Sequence, residues 1–151
     1  MTPTLEHICE FEVELSPPHE MGENAQGTRR IIPIVGGRVS GTAINGKLLA
    51  IGADWQTVRT DDVAYLDARY AIETDDGAVI EVISQGLRHM PPEAVERIAA
   101  GETLEFSEYY MRTAIRLDTG HPDYAWVNRS LFVAAGGKTG STVYLSVHRV
   151  G

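Results

Sequence analysis

The run from Leu5 to Leu15 constrains the fold more than any other stretch of the chain. Its odd positions are Leu5, His7, Cys9, Phe11, Val13 and Leu15, while four of its five even positions are glutamate (Glu6, Glu10, Glu12, Glu14), Ile8 being the fifth. Successive side chains of a strand point to opposite faces, so this period of two predicts a long strand with one face buried and one in water. His7 falls on the apolar face in that reading. The same alternation recurs along most of the chain, and glycine-rich turns separate the runs.

Ser16 to Gly27 carries Pro17-Pro18 and two glycines and reads as a mobile loop. Arg30 to Val35, interrupted by Pro33, reads as an edge or bulged strand, and Gly36-Gly37 separates it from Arg38-Val39-Ser40-Gly41. Lys47 to Ile51 precedes Gly52-Ala53-Asp54-Trp55, after which Thr57-Val58-Arg59 continues. Val63 to Thr74 and Ala78 to Leu87 flank Asp75-Asp76-Gly77, a strong hairpin signal because glycine takes positive φ without steric cost. A two-residue turn at Asp76-Gly77 places Arg69 opposite Ser84 and Ile72 opposite Glu81. Pro92 to Ala100, with proline at its start and Gly101 as its stop, is the one good helix. Strands are expected again over Tyr109 to Leu117, Ala125 to Ala135 and Thr142 to Val150.

About eight strands and one short helix in a chain of 151 residues predict a mainly β protein, a single closed antiparallel barrel over residues 1–151, with a sandwich as the alternative. A barrel of about eight strands can enclose one small ligand. The formal net charge of −8 argues against nucleic-acid partners, which demand clustered cations. The cations are unevenly divided between arginine, with 11, and lysine, with 2, so some arginines are candidates for buried partners. A lone cysteine, Cys9, allows no intrachain disulfide. No signal-peptide pattern opens the chain and no apolar run approaches the ~20 residues of a membrane helix, so the expectation is a cytoplasmic protein without a membrane partner.

Familiar signatures are missing. Gly36-Gly37 and Gly136-Gly137 open no phosphate-binding loop, and no Gly-x-Ser-x-Gly elbow is present. The five histidines lack metal-ligand spacing, and no metal site is assigned. What stands out is polar residues set beside aromatics within strand runs: Asp54-Trp55, Arg69-Tyr70, Tyr110-Met111-Arg112 and Trp126-Val127-Asn128. A buried charge without a partner costs several kcal/mol or more, so Asp54 is expected to pair with Arg69 or Arg112 in the barrel lumen. The competing reading is a salt bridge at the barrel end, or Asp54 capping its own turn. Trp55 and Trp126 also read as plain core, and His7 as a satisfied core histidine. Glu81 reads either as a desolvated base or as an outward strand residue.

The runs Gly36-Gly37-Arg38-Val39-Ser40-Gly41, Gly52-Ala53-Asp54-Trp55, Leu66-Asp67-Ala68-Arg69-Tyr70, Thr74-Asp75-Asp76-Gly77-Ala78 and Tyr124 to Val133 together resemble the domain of unknown function 3237 family, also called uncharacterised protein family 0311. The resemblance spans nearly the whole chain. It implies a single small β-barrel similar to the allene oxide cyclase and calycin-like barrels, and little about chemistry. Two departures show: Leu117-Asp118-Thr119 stands where Phe-Glu-Thr is expected, and Gly41-Thr42 where Gly-Pro is expected.

The leading expectation is an enzyme that works without a cofactor, of lyase or isomerase type, acting by acid–base chemistry on a small oxygen-bearing molecule in the barrel. Asp54 is the expected base and Tyr110 the proton donor. Arg112 and Arg69 would stabilise oxyanion charge, with Trp55, Tyr70, Trp126, Asn128 and His7 forming the ligand site. A ligand-binding barrel without catalysis and a barrel packed shut are the alternatives. Exposed strand edges at the termini are compatible with homo-oligomers.

Overall fold

The computed structural model describes residues 1–151. Ten strands form one sheet: β1 (Leu5–Leu15), β2 (His19–Asn24), β3 (Gly27–Ser40), β4 (Gly46–Leu48), β5 (Ala53–Val58), β6 (Ala64–Thr74), β7 (Val79–His89), β8 (Tyr110–Asp118), β9 (Leu131–Thr139) and β10 (Thr142–Val150). Every pairing is antiparallel, and β1 joins β10 on one edge and β3 on the other, which closes the sheet into a barrel.

Ten strands make eight staves. β4 and β5 lie one after the other between β3 and β6, and β2 continues β1 along the same edge of β3. The closed antiparallel barrel of about eight strands expected from the alternation is therefore the fold. Closure pairs the main strands on both sides, while β2, bonded only to β3, keeps its outer edge free. The helix α1 (Pro92–Ala99) and a 3₁₀ turn at Phe106–Glu108 form the β7–β8 connection. No helix is long and apolar enough to cross a membrane.

Three local expectations are corrected. Ser16 to Gly27 is not a free loop: after Pro17-Pro18 the chain re-enters the sheet as β2, paired with β3 from His19↔Ile31 to Asn24↔Gly27. Ala125 to Arg129 is not strand but part of a 3₁₀ segment (Pro122–Arg129), opened by His121 Nδ1 accepting the Asp123 amide and followed by β9. The β6–β7 hairpin is shifted by one residue: its register is Arg69↔Ile83, Ala68↔Ser84 and Ile72↔Ile80. The loop has three residues, Asp75-Asp76-Gly77, because the Thr74 amide donates to Ala78 O and Gly77, at φ +90°, supplies the left-handed step.

The slip matters because one residue exchanges the faces. Ala68 and Ser84 point inward, and Arg69 points out. The core fills the end of the barrel under this hairpin, around Phe11, Ile72, Ile80, Val82, Ile115 and Phe132, all 1% exposed or less. Thr119 Oγ1 donates to Val79 O across that end, and Val127 of the 3₁₀ segment is fully buried against it. The opposite end stays partly open.

Candidate functional site

The open end holds a narrow cavity of about 60 Å³. Its walls are mostly aliphatic, from Val13, Ile32, Ile34, Leu66, Met111 and Leu145, and into them project Arg30, Asp54, Gln56, Tyr70, Ser84, Arg88, Thr113 and Lys138. An apolar pocket with a few convergent polar groups is the ordinary form of a small-molecule site.

Asp54 sits at its centre for a local reason. Gly52 turns the chain at φ +86° between β4 and β5. A β-carbon there would meet Arg69 O at 2.1 Å, so only glycine allows β5 to start this close to β6. The alternation then aims Asp54 and Gln56 inward and Trp55 outward, where it is 48% exposed. The β5–β6 ladder pairs Asp54 with Ala68 and resumes at Thr57↔Tyr65. In the gap the Asp67 amide donates to Asp54 Oδ1 at 2.8 Å. Gln56 Nε2 donates to Asp54 Oδ2 at 3.2 Å, and Gln56 Oε1 accepts from Arg30 Nε at 2.8 Å.

Burial raises the Asp54 carboxyl above its ordinary value, opposed by the Asp67 amide, the Gln56 amide and the positive charge of Arg88. The Tyr70 phenol is pushed up chiefly by burial and by Asp54, so it stays protonated. Arg88 is lowered by burial and by repulsion from Arg30, and Lys138 by burial and then by Arg88 and Arg30. No three or more His, Cys, Asp and Glu side chains gather in a way that could hold a metal ion.

Of the residues expected from the sequence, Asp54 and Tyr70 line this cavity. The expected pairing of Asp54 with Arg69 or Arg112 is not formed. Arg69 lies on the outer face, with its Nε 3.9 Å from Glu81 Oε2, which also settles Glu81 as an outward residue. In β8 the inward positions are Met111, Thr113, Ile115 and Leu117, so Tyr110 and Arg112 point out. Tyr110 stacks on His89, and the Arg112 guanidinium lies 5.2 Å above the Tyr110 ring.

His7 is also outside. A bulge between His7 and Cys9 buries Ile8 and Cys9 together and turns His7 to the surface, where its Nε2 lies 2.8 Å from Glu10 Oε1. Trp126 packs edge-on against Phe132 at the closed end. Asn128 clamps the loop after β8, accepting the Thr119 amide at 2.9 Å and donating to Thr119 O at 2.7 Å.

Sequence reasoning missed Arg30, Gln56, Ser84, Arg88, Thr113 and Lys138. Arg30 opens an expected strand. Arg88 lies one residue past the expected end of another at Leu87, where β7 in fact runs on to His89. The excess of arginine pointed to buried partners. Choosing between them needed the register.

The chain is similar to proteins known by sequence and by structure. It is 41% identical to a UPF0311 protein of Rhodopseudomonas palustris (strain TIE-1), over 99% of each chain. A β-barrel-like protein from Acinetobacter baumannii superposes with a TM-score of 0.88 at 35% identity, over 100% of this chain and 98% of the other. An enzyme from Penicillium herquei superposes with a TM-score of 0.76 at 19% identity, over 100% of this chain and 96% of the other, a likeness of fold. The family described as "Protein of unknown function (DUF3237)" matches residues 3–150. With one barrel and near-complete correspondence to these relatives, the chain belongs to the DUF3237 family.

Proposed function

We propose that the protein is an enzyme that carries out acid–base chemistry of the lyase or isomerase type on a small oxygen-bearing molecule inside the barrel. Asp54 is the general base and Tyr70, in place of Tyr110, the hydroxyl that orients or protonates the substrate oxygen. The observation that carries this reading is a buried carboxylate held by two hydrogen bonds in a cavity whose walls are mostly aliphatic and whose other polar groups include Tyr70, Arg30 and Arg88. Desolvation brings such a group closer to the pKa range where a carboxylate works as a base. Arg30 and Arg88 supply fixed positive charge for an oxyanion developing in the transition state.

A ligand-binding barrel without turnover is the second reading. It is favoured by the hydrogen bond that each Asp54 oxygen already accepts from the protein. The test is a thermal-shift screen against hydroxy- and oxo-bearing metabolites and aromatics, followed by product analysis with each stabilising compound. Enzymatic function predicts a product that Asp54→Asn eliminates while the variant keeps its fold and still binds. Binding without product, in both proteins, supports the carrier.

A further inference from the structure

We propose that the lumen recognises a small organic carboxylate, held by Arg88 and Lys138 at the open end with the apolar body of the molecule against the aliphatic wall. This rests on the lumen being the functional site. Three cations, Arg30, Arg88 and Lys138, line the cavity with one carboxylate, Asp54, a formal local charge of 3 − 1 = +2. The chain as a whole carries −8, so the accumulation runs against its average.

None of the three cations has a carboxylate oxygen within 4.0 Å. Arg30 donates to the neutral Gln56 amide oxygen. Of the ten cations outside the cavity, five (Arg38, Lys47, Arg59, Arg69 and Arg97) have a glutamate or aspartate partner. What sets the lumen cations apart is that they share one mostly apolar cavity. A second observation is independent of charge. Thr113 Oγ1 is buried and has no hydrogen-bond partner, although it lines the same cavity. A buried polar atom without a partner costs about 1–3 kcal/mol, and an acceptor on a bound molecule would satisfy it.

A carboxylate suits these donors, because arginine presents paired N–H groups and charge-assisted hydrogen bonds are the strong ones. Its arrival also acts on Asp54. Arg88 opposes the rise of the Asp54 carboxyl, so engaging Arg88 with an anion makes Asp54 a stronger base when substrate is present.

The experiment is an amide NMR titration of the full chain with acetate and benzoate, their uncharged counterparts acetamide and benzamide, and inorganic phosphate. We expect benzoate to perturb Asp54 to Gln56, Ser84 to Arg88 and Met111 to Thr113, at least about tenfold more tightly than benzamide. Arg88→Met should weaken benzoate by a similar factor. Circular dichroism and the thermal midpoint of that variant establish that it is folded before its affinity is compared. Thr113→Val should weaken benzoate as well, and Arg112→Met, outside the barrel, should not. Benzamide binding the lumen as tightly as benzoate, or Arg88→Met leaving affinity unchanged, overturns the inference while the lumen stands as a site. Tighter binding of phosphate than of benzoate overturns its organic part. No lumen response to any compound overturns both the inference and the proposed function.

Discussion

Asp54 accepts the backbone N–H of Asp67 at 2.8 Å where the β5–β6 ladder leaves that amide without its strand partner. One bond thus fixes both the strand pair and the carboxylate. Replacing Asp54 by Asn keeps an acceptor for the amide. The expected outcome is a folded barrel whose thermal midpoint moves by only a few degrees, with turnover lost. Circular dichroism and product analysis check the two halves separately.

The Asp54 carboxyl is raised in the folded state chiefly by burial. The folded protein therefore holds a proton that the unfolded chain has released, and stability falls as pH rises from the unfolded value through the raised folded value. Above that window the penalty is constant. The difference in urea midpoint between the wild type and Asp54→Asn should grow through this window in favour of the variant, then level off. A difference independent of pH would show that Asp54 titrates as it does in the unfolded chain.

Cys9 is fully buried, and burial followed by the charge of Glu10 pushes its thiol up to about 12. The thiolate is the reactive form. The native protein is therefore expected to resist a disulfide reagent at pH 8 and to react stoichiometrically once unfolded in urea. Fast native labelling would contradict this placement of β1.

Two glycines with similar φ separate backbone strain from collision. Gly77→Ala meets nothing within 4 Å and carries only the cost of a left-handed residue, about 1–2 kcal/mol. Gly52→Ala adds a collision with Arg69 O at 2.1 Å. It should cost clearly more and disturb the Asp54 resonances. Chemical denaturation of both variants gives the comparison.

Phe11 is fully buried and meets the Tyr70 ring edge-on at 6.3 Å, forming the base beneath the lumen. Phe11→Ala should cost about 3–5 kcal/mol and loosen ligand affinity together with stability, read by urea titration with and without a stabilising compound.

The sequence made the barrel legible because alternation in Leu5–Leu15 and Thr142–Val150, and the Asp-Gly turn, are local signals. Asp54 was legible for the same reason: a carboxylate after Gly52 within a strand run has few places to point. The rest of the site was not, because it depends on parity. A three-residue turn in place of a two-residue one moved Ser84 from opposite Arg69 to opposite Ala68. A bulge between His7 and Cys9 turned His7 outward. In β8 the aromatic and cationic residues that stood out are the solvated face, whereas the inward face is Met111 and Thr113. Long polar side chains are conspicuous in sequence on whichever face they lie.

The most direct measurement of the central claim, that the lumen around Asp54 is the working site, compares the wild type with Ala68→Phe. Ala68 faces the cavity, and a phenyl ring there fills it. Native mass spectrometry and thermal shift on both proteins, with the compounds that stabilise the wild type, should show binding to the wild type and none to the folded variant. Equal binding to both proteins would place the ligand elsewhere and contradict the account.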